Sequence, residues 1–227
     1  MSKTELLNKS NYNFNDLLEI TEILRAPGGC PWDMEQTRQS IRKGLIEETY
    51  EVIEGIDKND MDILKEELGD LILQVVFHAS IANSNKNFNI DDVCDGICKK
   101  LIYRHPHVFS TTIAHTSEEV LKNWEQLKQK EKGQKSKKEV MESVSSALPS
   151  LMRAQKLIKK SGENVNNTKA TVNIERYLND FKKSNNADYI TKIVFECSRL
   201  ANSCGIDLEQ QLFVQNDQFC AETLNKK

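Results

Sequence analysis

Apolar residues along this chain recur at intervals of three and four rather than two, and only four prolines and nine glycines interrupt them in 227 residues. That period matches the helical turn and not the alternation of a strand, so the sequence predicts an all-α fold. Helices are expected over about 14–24, 41–56, 61–83, 90–103, 117–130, 146–160 and 188–203. Pro106, which has no backbone N–H to donate, interrupts the pattern within Arg104-His105-Pro106-His107-Val108-Phe109. The run Lys132-Gly133-Gln134-Lys135-Ser136-Lys137-Lys138 reads as a mobile linker, and 162–171 as a polar connection.

Charge excludes one class of partner. With 31 basic and 34 acidic residues the formal net charge is -3, too small and of the wrong sign for a field that gathers polymeric nucleic acid. Small phosphorylated ligands are not excluded. The start MSKTELLNKSNYNFND has no apolar leader, and no window approaches the length of a membrane span, so a cytoplasmic protein without membrane contact is expected. A reducing cytosol keeps the six cysteines as thiols; none forms a CxxC pair, and Cys94 and Cys98, one helical turn apart, read as packing residues rather than zinc ligands.

The chemistry lies in two acidic helix faces. At about 100° per residue, Glu47, Glu48, Glu51 and Glu54 share one side of helix 41–56, and Leu45, Ile46, Val52, Ile53 and Ile56 take the other. Alone, that acidic side reads as a solvated surface. On the next helix Glu66, Glu67 and Asp70 share a face that runs on into Leu73, Phe77 and Ile81, and a face that turns apolar is not fully exposed. A short turn at Asn59 predicts an antiparallel hairpin, with Glu51 opposite Glu67 and Glu48 opposite Asp70, each pair equidistant from the turn. Carboxylates gathered this way repel one another unless a cation compensates them. Oxygen donors without histidine or cysteine suit Mg²⁺ or Mn²⁺, and carboxylate-held Mg²⁺ keeps positions for water and substrate phosphates. The pattern therefore points to phosphoryl chemistry.

Glu47-Glu48-x-x-Glu51 followed by Glu67-x-x-Asp70 resembles the MazG-like nucleoside triphosphate pyrophosphohydrolases. Three neighbouring motifs strengthen the resemblance: Gly29-Cys30-Pro31-Trp32-Asp33 with Glu35-Gln36-Thr37, Glu67-Leu68-Gly69-Asp70 with Gln74 to Ala79, and Arg104 to Phe109. The likeness runs from about Leu17 to Leu127. It implies a helical homodimer that cuts a nucleoside triphosphate into the monophosphate and pyrophosphate. It also implies Glu48, Glu51, Glu67 and Asp70 as Mg²⁺ ligands and Glu47 as the water-orienting base or an outer ligand. Lys100 and Arg104 read either as partners of phosphate oxygens or as a solvated basic face, and Trp32, in a loop, as a base-stacking platform or a structural plug. Phe77 and His78 read as core residues.

The segment 146–156 resembles the start of a second repeat in longer family members, so the expected organisation is a catalytic MazG-like domain over 1–130, a charged linker over 131–142 and a degenerate second MazG-like repeat over 143–227. Matching Cys204 to Leu212 with a later family helix sets Tyr189 and Lys192 where the acidic ligands would be. A competing reading of the whole chain is a nucleotide-binding regulatory or interaction protein with little hydrolysis.

Overall fold

The computed structural model describes residues 3–131, 133–134, 136–163 and 166–224. Among these there is no strand, and the chain divides into two units, Met1–Ala114 and His115–Lys227. The first unit contains α1 (Lys3–Leu7), α2 (Phe14–Arg25), α3 (Pro31–Glu35), α4 (Arg42–Asp57), α5 (Met61–Ser84), α6 (Ile90–Arg104) and α7 (Pro106–Phe109). The second contains α8 (Ser117–Glu131), α9 (Lys137–Glu142), α10 (Ser150–Ser161), α11 (Asn167–Ser184), α12 (Asp188–Ser203) and α13 (Leu208–Leu224).

This division falls before α8, which is joined to α10 by an ion pair between Glu125 and Lys160. Within the expected linker, Ser136 opens α9 through a capping box with Glu139, so that part is helical. Lys132 and Lys135, also assigned to the linker, lie outside the described residues. Two longer helices were not expected. Asn166 caps α11 by accepting from the Thr168 N–H, inside the stretch read as a polar connection, and α13 follows Asp207.

In the first unit α4 and α5 form the antiparallel hairpin, turning through Asn59 at φ 52°. Asp60 then starts α5 by accepting from the N–H groups of Asp62 and Ile63. Glycine sets how closely the two helices approach. A Cβ on Gly55 would stand 2.8 Å from the Leu64 backbone nitrogen, and one on Gly44 would stand 2.9 Å from the Gln74 side chain. Helix-interior glycine costs helix stability, and here it allows backbone contact at the closed end of the hairpin. Gly55→Ala is expected to push the helices apart and lower stability by about 1–3 kcal/mol, the usual effect of overpacking; a urea midpoint equal to that of the parent would contradict it.

The core lies toward the far end of α5. Ile41, Phe77 and Ile81 pack together with Leu73 against them, and Val76, Ala79 and Ala82 are buried. Arg25 ties three helices to this core: its Nε donates to Ser80 Oγ at 3.0 Å, its Nη1 donates to the Asp33 carbonyl at 2.7 Å, and its guanidinium lies 5.0 Å from the centre of the Phe77 ring. At the other end of α2, buried Asp16 closes a capping box with Asn13 and accepts from Lys9 at 2.5 Å. The Lys9 bond, helped by the Asn13 N–H, holds the Asp16 carboxyl below the usual aspartate range despite burial.

Candidate metal centre

On the hairpin, carboxylate oxygens of Glu48, Glu67 and Asp70 lie within 4.8 Å of one another, the one such convergence of three acids among the described residues. Glu48 comes from the middle of α4, and the other two are one turn apart on α5. Glu48 and Glu67 are half-buried and Asp70 is exposed. The environment disfavours the charge of the two glutamates. Burial raises the Glu48 carboxyl above the usual glutamate range, reinforced by a hydrogen bond with Glu51 and by the charges of Asp70, Glu51 and Glu67. Burial also raises Glu67, followed by the charges of Glu51, Asp70, Glu66 and Glu54. A proton relieves such repulsion, and so does a cation.

The remaining site residues are distributed unevenly around that trio. Glu51, exposed, meets the cluster through its hydrogen bond to Glu48 rather than as a member of the converging group. Glu47 lies outside the converging group, and its carboxylate pairs with Lys43 at 2.6 Å on an exposed surface. Lys100 is exposed on α6, and Arg104 is half-buried in the last turn of the same helix. Trp32 is in a short helix and not a loop, because Pro31 occupies the first helical position and the Gln36 side chain closes on the Trp32 carbonyl. At 63% exposure it is not a plug.

Two readings of side groups also change. Cys94 and Cys98 are exposed on α6, so they do not pack, and all six cysteines are free thiols. Phe77 is buried as expected, whereas His78 is half-buried with a buried Nε2 that has no hydrogen-bond partner. Burial, with the nearby charge of Arg38, lowers its pKa and favours the neutral ring. Gly44, Gly55 and Arg25, which set the spacing and seating of the hairpin, were not singled out from the sequence; glycine inside an otherwise periodic helix was the available signal for the first two.

What the trio offers is a set of hard oxygen donors, held by two helices and carrying unfavourable mutual charge. That donor set suits Mg²⁺ or Mn²⁺.

Residues 36–109 match the MazG nucleotide pyrophosphohydrolase domain. The chain is 48% identical over 145 residues to a nucleoside triphosphate pyrophosphohydrolase of Escherichia coli K12, covering 63% of this chain and 55% of that one. It is 45% identical over 144 residues to the nucleoside triphosphate pyrophosphohydrolase/pyrophosphatase MazG of Thermotoga maritima, covering 63% and 54%. A crystal structure of a mazG-related protein from Thermotoga maritima is 30% identical, covers 51% of this chain and 98% of its own, and superposes with a TM-score of 0.44. The chain spans about half the length of the curated relatives it matches. With the acidic hairpin inside the matched segment, the chain belongs to the MazG nucleotide pyrophosphohydrolase family.

Proposed function

We propose that the first unit hydrolyses nucleoside triphosphates to the monophosphate and pyrophosphate with Mg²⁺ or Mn²⁺, as part of nucleotide-pool housekeeping in the cytoplasm. The observation that carries this reading is the convergence of Glu48, Glu67 and Asp70 within 4.8 Å, with two of the three carboxyls pushed toward protonation. Such groups fit a hard divalent ion, with Glu51 completing the set from its position beside Glu48. The chemistry a bound ion supplies is neutralisation of phosphate charge and a lower pKa for water.

The chain's own groups do the rest in this proposal. Glu47, adjacent to Glu48 and oriented by Lys43, accepts the proton of the attacking water. Lys100 and Arg104 meet phosphate oxygens, and exposed Trp32 stacks on the base. Among the described residues no helix is long and apolar enough to cross a membrane. Incubation with a panel of nucleoside triphosphates and Mg²⁺ tests the reaction, with pyrophosphate and orthophosphate measured separately. Pyrophosphate and monophosphate are the expected first products; orthophosphate with diphosphate would overturn the assignment.

A homodimer is part of the proposal. Ile46, Tyr50 and Ile53 on α4, and Leu68, Ile72 and Val75 on α5, repeat at four and three residues and are exposed, so the hairpin carries an uncovered apolar stripe. A second hairpin would complete a four-helix core. Ile72→Glu is expected to halve the mass measured by light scattering at micromolar concentration. A monomeric parent with full activity would count against the dimer.

A further inference from the structure

The three converging carboxylates come from two helices, Glu48 from α4 and Glu67 and Asp70 from α5, so the span of the cluster follows the distance between those helices. Two glycines of α4 limit that distance, and Gly55 is the stricter. It lies four residues beyond Glu51 and faces Leu64, three residues before Glu67. A Cβ at residue 55 would stand 2.8 Å from the Leu64 nitrogen and 2.9 Å from its Cα, backbone atoms that cannot turn aside. One turn beyond the Glu48–Asp70 pair, Gly44 faces only the end of the Gln74 side chain, which can. The turn offers no slack on its side of the contact, because the Asp60 N–H donates to the Gly55 carbonyl at 3.0 Å. Added separation at residue 55 is therefore passed along the helices to the acids one turn away.

The second hairpin, α11 and α12, gives an internal contrast. It turns through Asn185 at φ 52°, as the first turns through Asn59, and four residues before these turns stand Phe181 and Gly55 respectively. Among the described residues, the hairpin with no cluster of acids has a bulky side chain where the acidic hairpin has none.

An ordinary contact begins near 3.4 Å, so a methyl at residue 55 needs about 0.5 Å more room. Mg²⁺ takes oxygen ligands at about 2.0–2.1 Å and Ca²⁺ at about 2.3–2.6 Å, a difference of similar size. Mg²⁺ also demands near-ideal geometry, whereas Ca²⁺ accepts wider and less regular sets of oxygens. We infer that Gly55 is the positioning residue that keeps the carboxylate cluster narrow enough to select Mg²⁺ over Ca²⁺. This rests on the metal reading of the cluster and adds to it the residue that sets its ion preference. Gly55 touches neither ion nor substrate; it acts by letting α5 lie against the α4 backbone.

Calorimetric titration of the full chain with magnesium chloride and with calcium chloride, in the absence of nucleotide, tests the inference. The parent is expected to bind Mg²⁺ more tightly than Ca²⁺. Gly55→Ala is expected to shift the ratio of the two dissociation constants about tenfold toward Ca²⁺, and Ser80→Ala about twofold or less. Ser80→Ala removes the acceptor of Arg25 at the far end of α5, so it destabilises the same unit without altering the glycine contact. An equal shift in both variants, or none in Gly55→Ala, would overturn the inference and leave the metal site standing. Should Gly55→Ala fail to fold, the parent decides, since Ca²⁺ bound as tightly as Mg²⁺ would equally overturn it. A parent that binds neither ion would overturn the metal reading itself, and the inference with it.

Discussion

Replacing Asp70 with Asn is expected to reduce pyrophosphate release by roughly 100-fold or more at limiting Mg²⁺, while the metal-free protein keeps its helical circular dichroism and melts at a higher temperature. Asp70 is exposed, so the isosteric change removes a charged oxygen without opening a cavity. In the metal-free chain its charge is one cause of the raised carboxyls of Glu48 and Glu67. A carboxyl whose folded pKa exceeds its unfolded value binds its proton more tightly when folded. Its stabilising effect is therefore full below the ordinary glutamate range and is lost as pH rises through the folded value. The parent in EDTA should accordingly melt at falling temperature as pH rises above the ordinary glutamate range and through the raised values of Glu48 and Glu67, and Asp70→Asn or added Mg²⁺ should flatten that slope. The Lys9–Asp16 pair works in the opposite sense, because its lowered carboxyl loses stabilisation as pH falls, at values below this window. Near-normal turnover of Asp70→Asn at limiting Mg²⁺, or a parent slope that added Mg²⁺ leaves unchanged, would remove Asp70 from the metal site.

The hairpin was legible in the sequence because two independent regularities coincide there. Its apolar positions follow the helical period, and its acids are equidistant from Asn59, so register and chemistry support each other. The seating of that hairpin was not legible. Gly55 matters through the Leu64 backbone and Arg25 through Ser80, Asp33 and Phe77, contacts that no local pattern announces. In the second unit α11 was hidden by its opening, where Asn166, Asn167 and Thr168 have poor helix propensity but serve as cap and first turn. α13 has no single apolar side to read, since Leu212, Phe213 and Val214 are adjacent and all exposed. Matching Cys204 to Leu212, beyond the end of α12, sets Tyr189 and Lys192 in the places of the acids, but α12 is shorter than α5. Counting from the left-handed asparagines instead brings Ile193 and Glu196 into register with Glu67 and Asp70.

That register underlies an expected separation of the two units: a chain ending at Ala114 should retain metal-dependent hydrolysis, and 115–227 should have none above a level about 100-fold lower. Counted from Asn185, Ile174, Tyr177 and Ile193 stand where Glu48, Glu51 and Glu67 stand in the first hairpin, leaving Glu196 as the single acid. Glu196 pairs with Arg199, and Lys192 is held near two tyrosine rings. An ammonium or guanidinium group has no lone pair to give a divalent ion, and one buried carboxylate with a guanidinium beside it makes a poor site for one. Manganese titration followed by electron paramagnetic resonance should count one tight site per chain in the parent and in the shorter chain, and none in 115–227. Two tight sites per parent chain, or metal-dependent hydrolysis by 115–227, would show that the second hairpin still holds a metal through groups other than the acids of the first.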